Sequence, residues 1–240
     1  MALTSIILPV YNCAPELEKG LAELKPLLER EGIEHEILVV DDGSANPQAV
    51  IDLVADYNAT PVMMQLNQGK GAAVRFGVKQ AKGDIILFMD GDFPFHLSVI
   101  PNMIGVLQSG KADVVIGDRT LKDSRYPVNI NPWRKLGSKV LSMIVSNFYV
   151  PGIRDTQCGV KGFTKMAGKK IFGRVTQTGF SFDVEVLFIA HKNGFTIARV
   201  PVQVYEQANT SVRVMKDGRA MLRSLYSIFI NNRKGAYTIK

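Results

Sequence analysis

Cysteine is scarce in this chain: only Cys13 and Cys158 occur. They form no Cys-x-x-Cys or Cys/His spacing, which argues against a structural zinc site and a disulfide framework and fits a reducing compartment. Histidine is nearly as rare. His35, His96 and His191 supply no plausible serine or cysteine hydrolase set, and each reads as a surface or structural residue. No Gly-x-Gly-x-x-Gly follows the first apolar segment, so a dinucleotide dehydrogenase is unsupported. Gly69-Lys70 lacks both the upstream glycine and the following Ser/Thr of a P-loop, which removes that class of ATPase. No apolar run approaches the roughly 18 residues that mark a membrane span. The N-terminus passes straight into a strand pattern without the charged and apolar regions of a secretory leader.

What is present is a chain of 240 residues, 46% of them hydrophobic, enough for one domain or one domain with an appendage. The formal charge of +7 points to anionic partners: nucleic acid, phosphorylated substrates or an anionic membrane surface. Charge alone does not choose among them. No recognisable motif or aromatic platform supports nucleic acid.

The first half alternates between strand and helix patterns. Ser5–Tyr11 reads as a buried strand, followed by a helix with Pro15 in its first turn and Leu17, Leu21, Leu24 and Leu28 at helical spacing. Glu36–Val40 is a second strand, and Asn46-Pro47 an N-cap and N1 pair for the next helix. Pro61–Leu66 is expected as a third strand, then a helix through Val74 and Val78, a fourth strand ending at Asp90, and a fifth over Ala112–Gly117. A polar loop is expected from Asp118 to Pro132, a helix over Trp133–Tyr149, a returning strand over Thr196–Tyr205, and a last basic amphipathic helix around Met221–Arg233. This order predicts an α/β fold with a mainly parallel sheet flanked by helices on both faces.

In such sheets ligands gather beyond the C-terminal strand ends. Asp41, Asp42, Asn67, Asp90, Asp92, Asp118 and Arg119 all fall there. Asp90-Gly91-Asp92 carries two readings. Asp and Gly favour solvated turns, and two carboxylates at a strand end also suit a hard cation such as Mg²⁺ or Mn²⁺.

Pro9-Val10-Tyr11-Asn12, Asp41-Asp42-Gly43-Ser44, Asn67-x-Gly69-Lys70-Gly71, Asp90-Gly91-Asp92 and Gly117-Asp118-Arg119 occur in order. This series resembles the family 2 inverting glycosyltransferases of the GT-A fold, with a Rossmann-like mixed sheet. Asp155-Thr156-Gln157-Cys158-Gly159 and Phe182-Asp183-Val184-Glu185 narrow the resemblance to the polyprenyl-phosphate sugar synthases, of the dolichyl-phosphate mannose or glucose synthase type. It runs from residue 4 to about 214. The expected division is therefore a catalytic domain over 1–214 and a basic amphipathic helix and tail over 215–240.

The resemblance implies transfer of a hexose from a UDP- or GDP-linked donor to polyprenyl phosphate, with inversion. Pro9, Tyr11, Val39 and Asp41 would surround the base and ribose, with Asn67 and Lys70 nearby. Asp90, Gly91 and Asp92 would meet the diphosphate, the two carboxylates holding Mg²⁺ or Mn²⁺. Arg119, Arg134 and Ser138 would grip the acceptor phosphate, and Asp155 and Gln157 would close on the sugar or acceptor. Asp92, Arg119, Arg134 and Asp183 are the implied catalytic set. Asp183 and Glu185 stand where hydroxyl-directed relatives keep their acidic base region. Here one of them either orients the sugar or the arginines or forms a structural ion pair. In the alternative of a sugar-hydroxyl acceptor, one of them becomes the base. Cys158 reads as packing.

Two positions depart from the family pattern. Pro94 stands where mannose synthases of this type often carry a glutamine beside the metal, leaving water or His96 as a substitute. Ser211-Val212 replaces Ser-Lys, leaving Arg213 as the residue for the diphosphate. A polyprenyl acceptor also implies contact with a membrane, peripheral or through a membrane partner, on its cytoplasmic face. The two basic amphipathic segments are the candidates for that contact.

Overall fold

The computed structural model describes residues 2–125, 132–205 and 214–239, with the side chains of 132–136, 138–140 and 214–219 outside the description. In chain order the elements are β1 (Thr4–Val10), α1 (Ala14–Arg30), β2 (His35–Asp41), α2 (Pro47–Asp56), β3 (Thr60–Met63), α3 (Lys70–Gln80), β4 (Ile85–Met89) and α4 (Val99–Gln108). There follow β5 (Val114–Asp118), α5 (Pro132–Phe148), β6 (Val160–Thr164), α6 (Lys165–Phe172), α7 (Phe182–Lys192), β7 (Ile197–Pro201) and α8 (Val214–Arg233).

The strands form one sheet in the order β3-β2-β1-β4-β6-β5-β7. All neighbouring pairs are parallel except those of β6, which runs antiparallel to both β4 and β5. The mixed, mainly parallel α/β sheet expected from the sequence is the one observed. Alternate side chains enter opposite layers. Ile6, Leu8 and Val10 of β1 pack with Leu17, Leu21 and Leu24 of α1 and Met103 and Leu107 of α4. Ile7 packs on the other face with Val74 and Val78 of α3, Ile171 of α6, Leu187 of α7 and Ile228 of α8.

Local signals account for several boundaries. Asn46 accepts a hydrogen bond from the Ala49 amide at 3.3 Å and so caps α2. The third strand stops at Met63 rather than Leu66, because its partner β2 ends at Asp41 and turns away through Gly43 at φ +73°. The returning strand β7 is five residues long. Pro201, which has no amide hydrogen, closes it, and Gln203 and Val204 make only isolated bridges with Arg125 and Phe95.

In α8, Met221, Leu225 and Ile228 are buried, and Leu222, Tyr226 and Phe229 are exposed. The same helical spacing thus divides an inner from an outer stripe. Among the described residues, no helix is long and apolar enough to cross a membrane.

Candidate active site

The C-terminal ends of β1, β2, β4 and β5 meet the start of the antiparallel β6 along one rim of the sheet. Asp41 is the last residue of β2 and is fully buried. Its carboxylate accepts the Ser44 amide at 3.2 Å and the Ser44 hydroxyl, and Ser44 Oγ in turn accepts the Asn12 amide at 2.9 Å. Asp42 has a different task. Its two oxygens accept the amides of Gln68 and Gly69, each at 2.8 Å, and so tie the segment before α3 to the end of β2. Gly43 is required there, since a Cβ would lie 2.6 Å from the Asn67 nitrogen. Pro9 and Val39 are buried within their strands, while Tyr11 and Asn67 stand exposed at the rim.

Asp90-Gly91-Asp92 forms a tight turn, closed by the Phe93 amide donating to the Asp90 carbonyl at 3.0 Å. The ring of Phe93 fills the space above Gly20 and anchors the turn in the core. Gly91 lies so close to β1 that a Cβ would sit 2.8 Å from the Pro9 carbonyl oxygen. Gly159 is equally constrained: a Cβ there would meet Asp90 Oδ2 at 2.1 Å. The turn therefore presents Asp92 outward and holds Asp90 partly buried.

Asp90 is ion-paired with Lys70, the first residue of α3. Burial alone would lower the Lys70 ammonium, but the charges of Asp90 and then Asp183 overcome it and hold Lys70 above the usual lysine range. Asp92 is pushed up, first by partial loss of water and then by the neighbouring Asp90 carboxylate. The neighbouring Asp90 and Asp92 carboxylates form a hard-oxygen donor pair whose repulsion a divalent cation would relieve. Among the described residues, no group of three or more His, Cys, Asp or Glu side chains is arranged to hold a metal. The His96 ring stacks on Tyr205 with centroids 4.1 Å apart. Asp90 and Asp92 thus suit a cation whose remaining ligands come from elsewhere.

On the other side of the rim, Arg119 grips Asp155 from three donors: its backbone N at 2.8 Å, Nε at 2.8 Å and an Nη at 2.7 Å. Burial would raise Asp155, but these hydrogen bonds and the guanidinium charge hold it below the usual carboxylate range. Gln157 is exposed beside it. Cys158 is buried, and loss of water pushes its thiol up to about 12, which makes it a packing group. A small cavity of about 60 Å³ adjoins Arg119 and Asp155 and also touches Ser142 of α5 and Met221 of α8.

Between the two halves lie residues that sequence reasoning missed or left open. Lys161 on β6 is fully buried, donates to Asp183 Oδ1 at 2.5 Å and to the Cys158 carbonyl at 2.8 Å, and lies 5.4 Å above the Phe88 ring. The alternation Arg119, Asp155, Lys161, Asp183, Lys70, Asp90 spans the rim with opposite charges at successive places. Nothing in the sequence around Lys161 flags a buried lysine. Glu185, also fully buried, accepts hydrogen bonds from two backbone amides and two hydroxyls. Arg213 lies outside the described residues, and Arg134 and Ser138 lie on α5 with their side chains outside the description.

A seven-stranded mixed sheet with paired carboxylates at the end of β4 defines a glycosyltransferase of GT-A architecture. The chain belongs to Glycosyl transferase family 2, whose model matches residues 5–172. It is 30% identical over 251 residues to a dolichyl-phosphate beta-glucosyltransferase of Trichomonas vaginalis, covering 99% of this chain and 74% of that one. It is 31% identical over 186 residues to a dolichol-phosphate mannosyltransferase of Pyrococcus furiosus, covering 76% of this chain and 51% of the relative.

Solved structures share the fold at lower identity. Mannosyl-3-phosphoglycerate synthase from Rubrobacter xylanophilus matches with a TM-score of 0.74 at 19% identity, over 98% of this chain and 76% of that one. Glucosyl-3-phosphoglycerate synthase from Mycobacterium tuberculosis, in complex with Mn²⁺, UDP and glucosyl-3-phosphoglycerate, matches with a TM-score of 0.69 at 18% identity, over 95% of this chain and 80% of that one.

Proposed function

We propose that the enzyme transfers a hexose from a nucleotide sugar to a polyprenyl phosphate, with inversion at the anomeric carbon and with a divalent cation at Asp90 and Asp92. The names of the curated relatives support the lipid-phosphate acceptor. The fold neighbour holding UDP and Mn²⁺ supports a nucleotide donor and a metal. UDP-glucose is the first donor to test: the relatives' names point to a glucosyl group, and a fold neighbour was solved with Mn²⁺ and UDP-glucose.

The observation that carries the acceptor assignment is the engagement of both buried acids. A sugar hydroxyl needs a carboxylate free to take its proton. Asp183 is paired with Lys161, and Glu185 already accepts four donors. A phosphate monoester has its second pKa at about 6 and arrives already deprotonated. One of its oxygens forms the bond to the anomeric carbon while the bond from that carbon to the donor's diphosphate oxygen breaks, the electron pair leaving on the nucleoside diphosphate. No proton has to be removed.

This chain's residues then position and compensate charge. Asp41 holds the nucleoside side, and Tyr11 and Asn67 line its rim. Lys70 faces the diphosphate from beside Asp90. Arg119 and Arg134 meet the acceptor phosphate, with Ser138 and Gln157 beside it, and Asp155 fixes the plane of the Arg119 guanidinium. Asp183 acts through its pairing with Lys161. A cation bound at Asp90 and Asp92 supplies neutralisation of the charge that develops on the diphosphate.

The exposed stripe Leu222, Tyr226 and Phe229 on α8, with Met143 and Phe148 on α5, is the proposed membrane-facing surface, rimmed by Arg223 and Arg233. Co-sedimentation with anionic phospholipid vesicles tests it. Leu222→Ser with Phe229→Ser is expected to release the protein, and undiminished sedimentation would contradict this surface. For the reaction itself, labelled UDP- and GDP-sugars are incubated with a short polyprenyl phosphate and with hydroxyl acceptors. Label is expected in the lipid phase only with the phosphate, and label on hydroxyl acceptors alone would overturn the assignment.

A further inference from the structure

Glu185 sits in the first turn of α7 and is fully buried, and its carboxylate is saturated with hydrogen bonds. Oε2 accepts the amides of Thr176 at 2.9 Å and Gln177 at 2.7 Å. Oε1 accepts the Thr176 hydroxyl at 2.6 Å and the Tyr237 hydroxyl at 2.5 Å. A carboxylate with four donors is a strong local tie, because each bond to a charged acceptor is stronger than a neutral one.

The two ends of this tie lead to different places. In one direction, the segment held by Glu185 continues to Thr178, whose carbonyl accepts the amides of Gly71 at 2.7 Å and Ala72 at 3.3 Å. These belong to the first turn of α3, which starts at Lys70 and its ion pair with Asp90. The fit admits no side chain: a Cβ on Gly69 would lie 2.6 Å from the Thr178 carbonyl oxygen, and one on Gly71 2.7 Å from that of Gln177. In the other direction the tie reaches the C-terminal segment. Tyr237 is fully buried, and burial followed by its bond to Glu185 pushes its phenol up to about 12. Asn231 of α8 donates to both Thr176 Oγ1 at 3.2 Å and the Tyr237 hydroxyl at 3.3 Å, and Gln177 donates to Ser227 Oγ at 3.3 Å.

We infer that Glu185 and Tyr237 form a clamp that sets the donor-side residue Lys70, by fixing the Thr176–Thr178 segment against the start of α3. Glu185 is thus a positioning residue, not a proton acceptor, and the segment after α8 is part of the donor site's support. The stripe proposed to face the membrane lies on that same helix, one side of it bearing Leu222 and Tyr226 and the other bearing Ser227 and Asn231. The inference rests on the proposed nucleotide-sugar reading for what Lys70 meets, but its structural half stands independently.

The test uses Tyr237→Phe, which keeps the buried ring and removes one donor, and Glu185→Gln as a second variant. Amide hydrogen exchange is followed at residues 71–72 and 176–178, and binding of UDP with Mn²⁺ is followed by calorimetry. Both variants are expected to speed exchange in these two segments together and to weaken UDP binding about three- to tenfold. In turnover, KM for the nucleotide sugar is expected to rise while KM for the lipid phosphate stays unchanged. Exchange that speeds only near residue 237, with residues 71–72 unaffected, would overturn the clamp. Faster exchange at 71–72 with unchanged UDP affinity would overturn its role at the donor site. Wild-type protein that binds no nucleotide would instead overturn the proposed function, while the exchange result still decides the clamp.

Discussion

Lys161 and Asp183 form an ion pair sealed from solvent, Nζ lying 2.5 Å from Oδ1, at the centre of the rim that carries the candidate active site. Lys161 comes from β6, the one antiparallel strand, and Asp183 from the first turn of α7. The pair fastens these elements together, and Lys161 also donates to the carbonyl of Cys158, three residues after Asp155. It also removes Asp183 from the list of bases free to serve a hydroxyl acceptor.

Breaking this pair from one side leaves a buried charge without compensation. Lys161→Met is expected to destabilise the fold by about 3–5 kcal/mol, read from urea unfolding. Adding Asp183→Leu to the same chain is expected to restore much of the loss, since apolar groups of similar volume replace a buried pair at little cost. A double variant no more stable than Lys161→Met would contradict the pairing.

Asp92 stands exposed on a turn anchored by Phe93, so its removal leaves the fold intact. Asp92→Ala is expected to lower turnover by about 10²-fold or more and to abolish stimulation by Mn²⁺, with the melting temperature unchanged. Retained metal stimulation in the variant would place the cation elsewhere.

Asp155 is held below the usual carboxylate range in the folded enzyme by Arg119, against the opposing effect of burial. The unfolded chain therefore binds this proton more readily than the folded one. The stability that the pair contributes is fully present above the unfolded carboxylate value of about 3.9 and is lost as the pH falls through the lower folded value. Asp155→Asn is expected to be less stable near neutrality and to lose less on acidification below about pH 4. Parallel pH profiles for the variant and the parent would refute this linkage.

Arg134 is proposed to meet the acceptor phosphate. Arg134→Ala is expected to raise KM for the polyprenyl phosphate about tenfold or more, as for loss of a charged hydrogen-bonding partner, while UDP affinity stays unchanged. A parallel fall in UDP affinity would move Arg134 to the donor side.

Much of this arrangement is legible in the chain because the parallel strands β2, β4 and β5 are short apolar runs that end at or just before an aspartate. Asp41, Asp90 and Asp118 mark those ends directly. The strand β6 escapes such reading. Its sequence, Val160-Lys161-Gly162-Phe163-Thr164, breaks the apolar pattern with a lysine and a glycine. The glycine is needed because a Cβ would meet Leu87 at 2.3 Å, and the lysine is tolerated only because Asp183, distant in sequence, neutralises it. Asp42 is the reverse case. Its motif position says only that it helps shape a turn, and the fold reveals that it holds the amides of Gln68 and Gly69. Glu185 and Tyr237 are separated by more than fifty residues, and no local pattern links them.

The most direct measurement is phosphorus-coupled proton NMR of the product made from an α-linked nucleotide sugar, UDP-glucose first, with a short polyprenyl phosphate and Mn²⁺. The predicted product is a β-linked hexosyl phosphodiester, its anomeric proton coupled to the lipid phosphorus. An α-linked product, or a hexose attached to a hydroxyl with no coupling to phosphorus, would contradict direct displacement by the lipid phosphate.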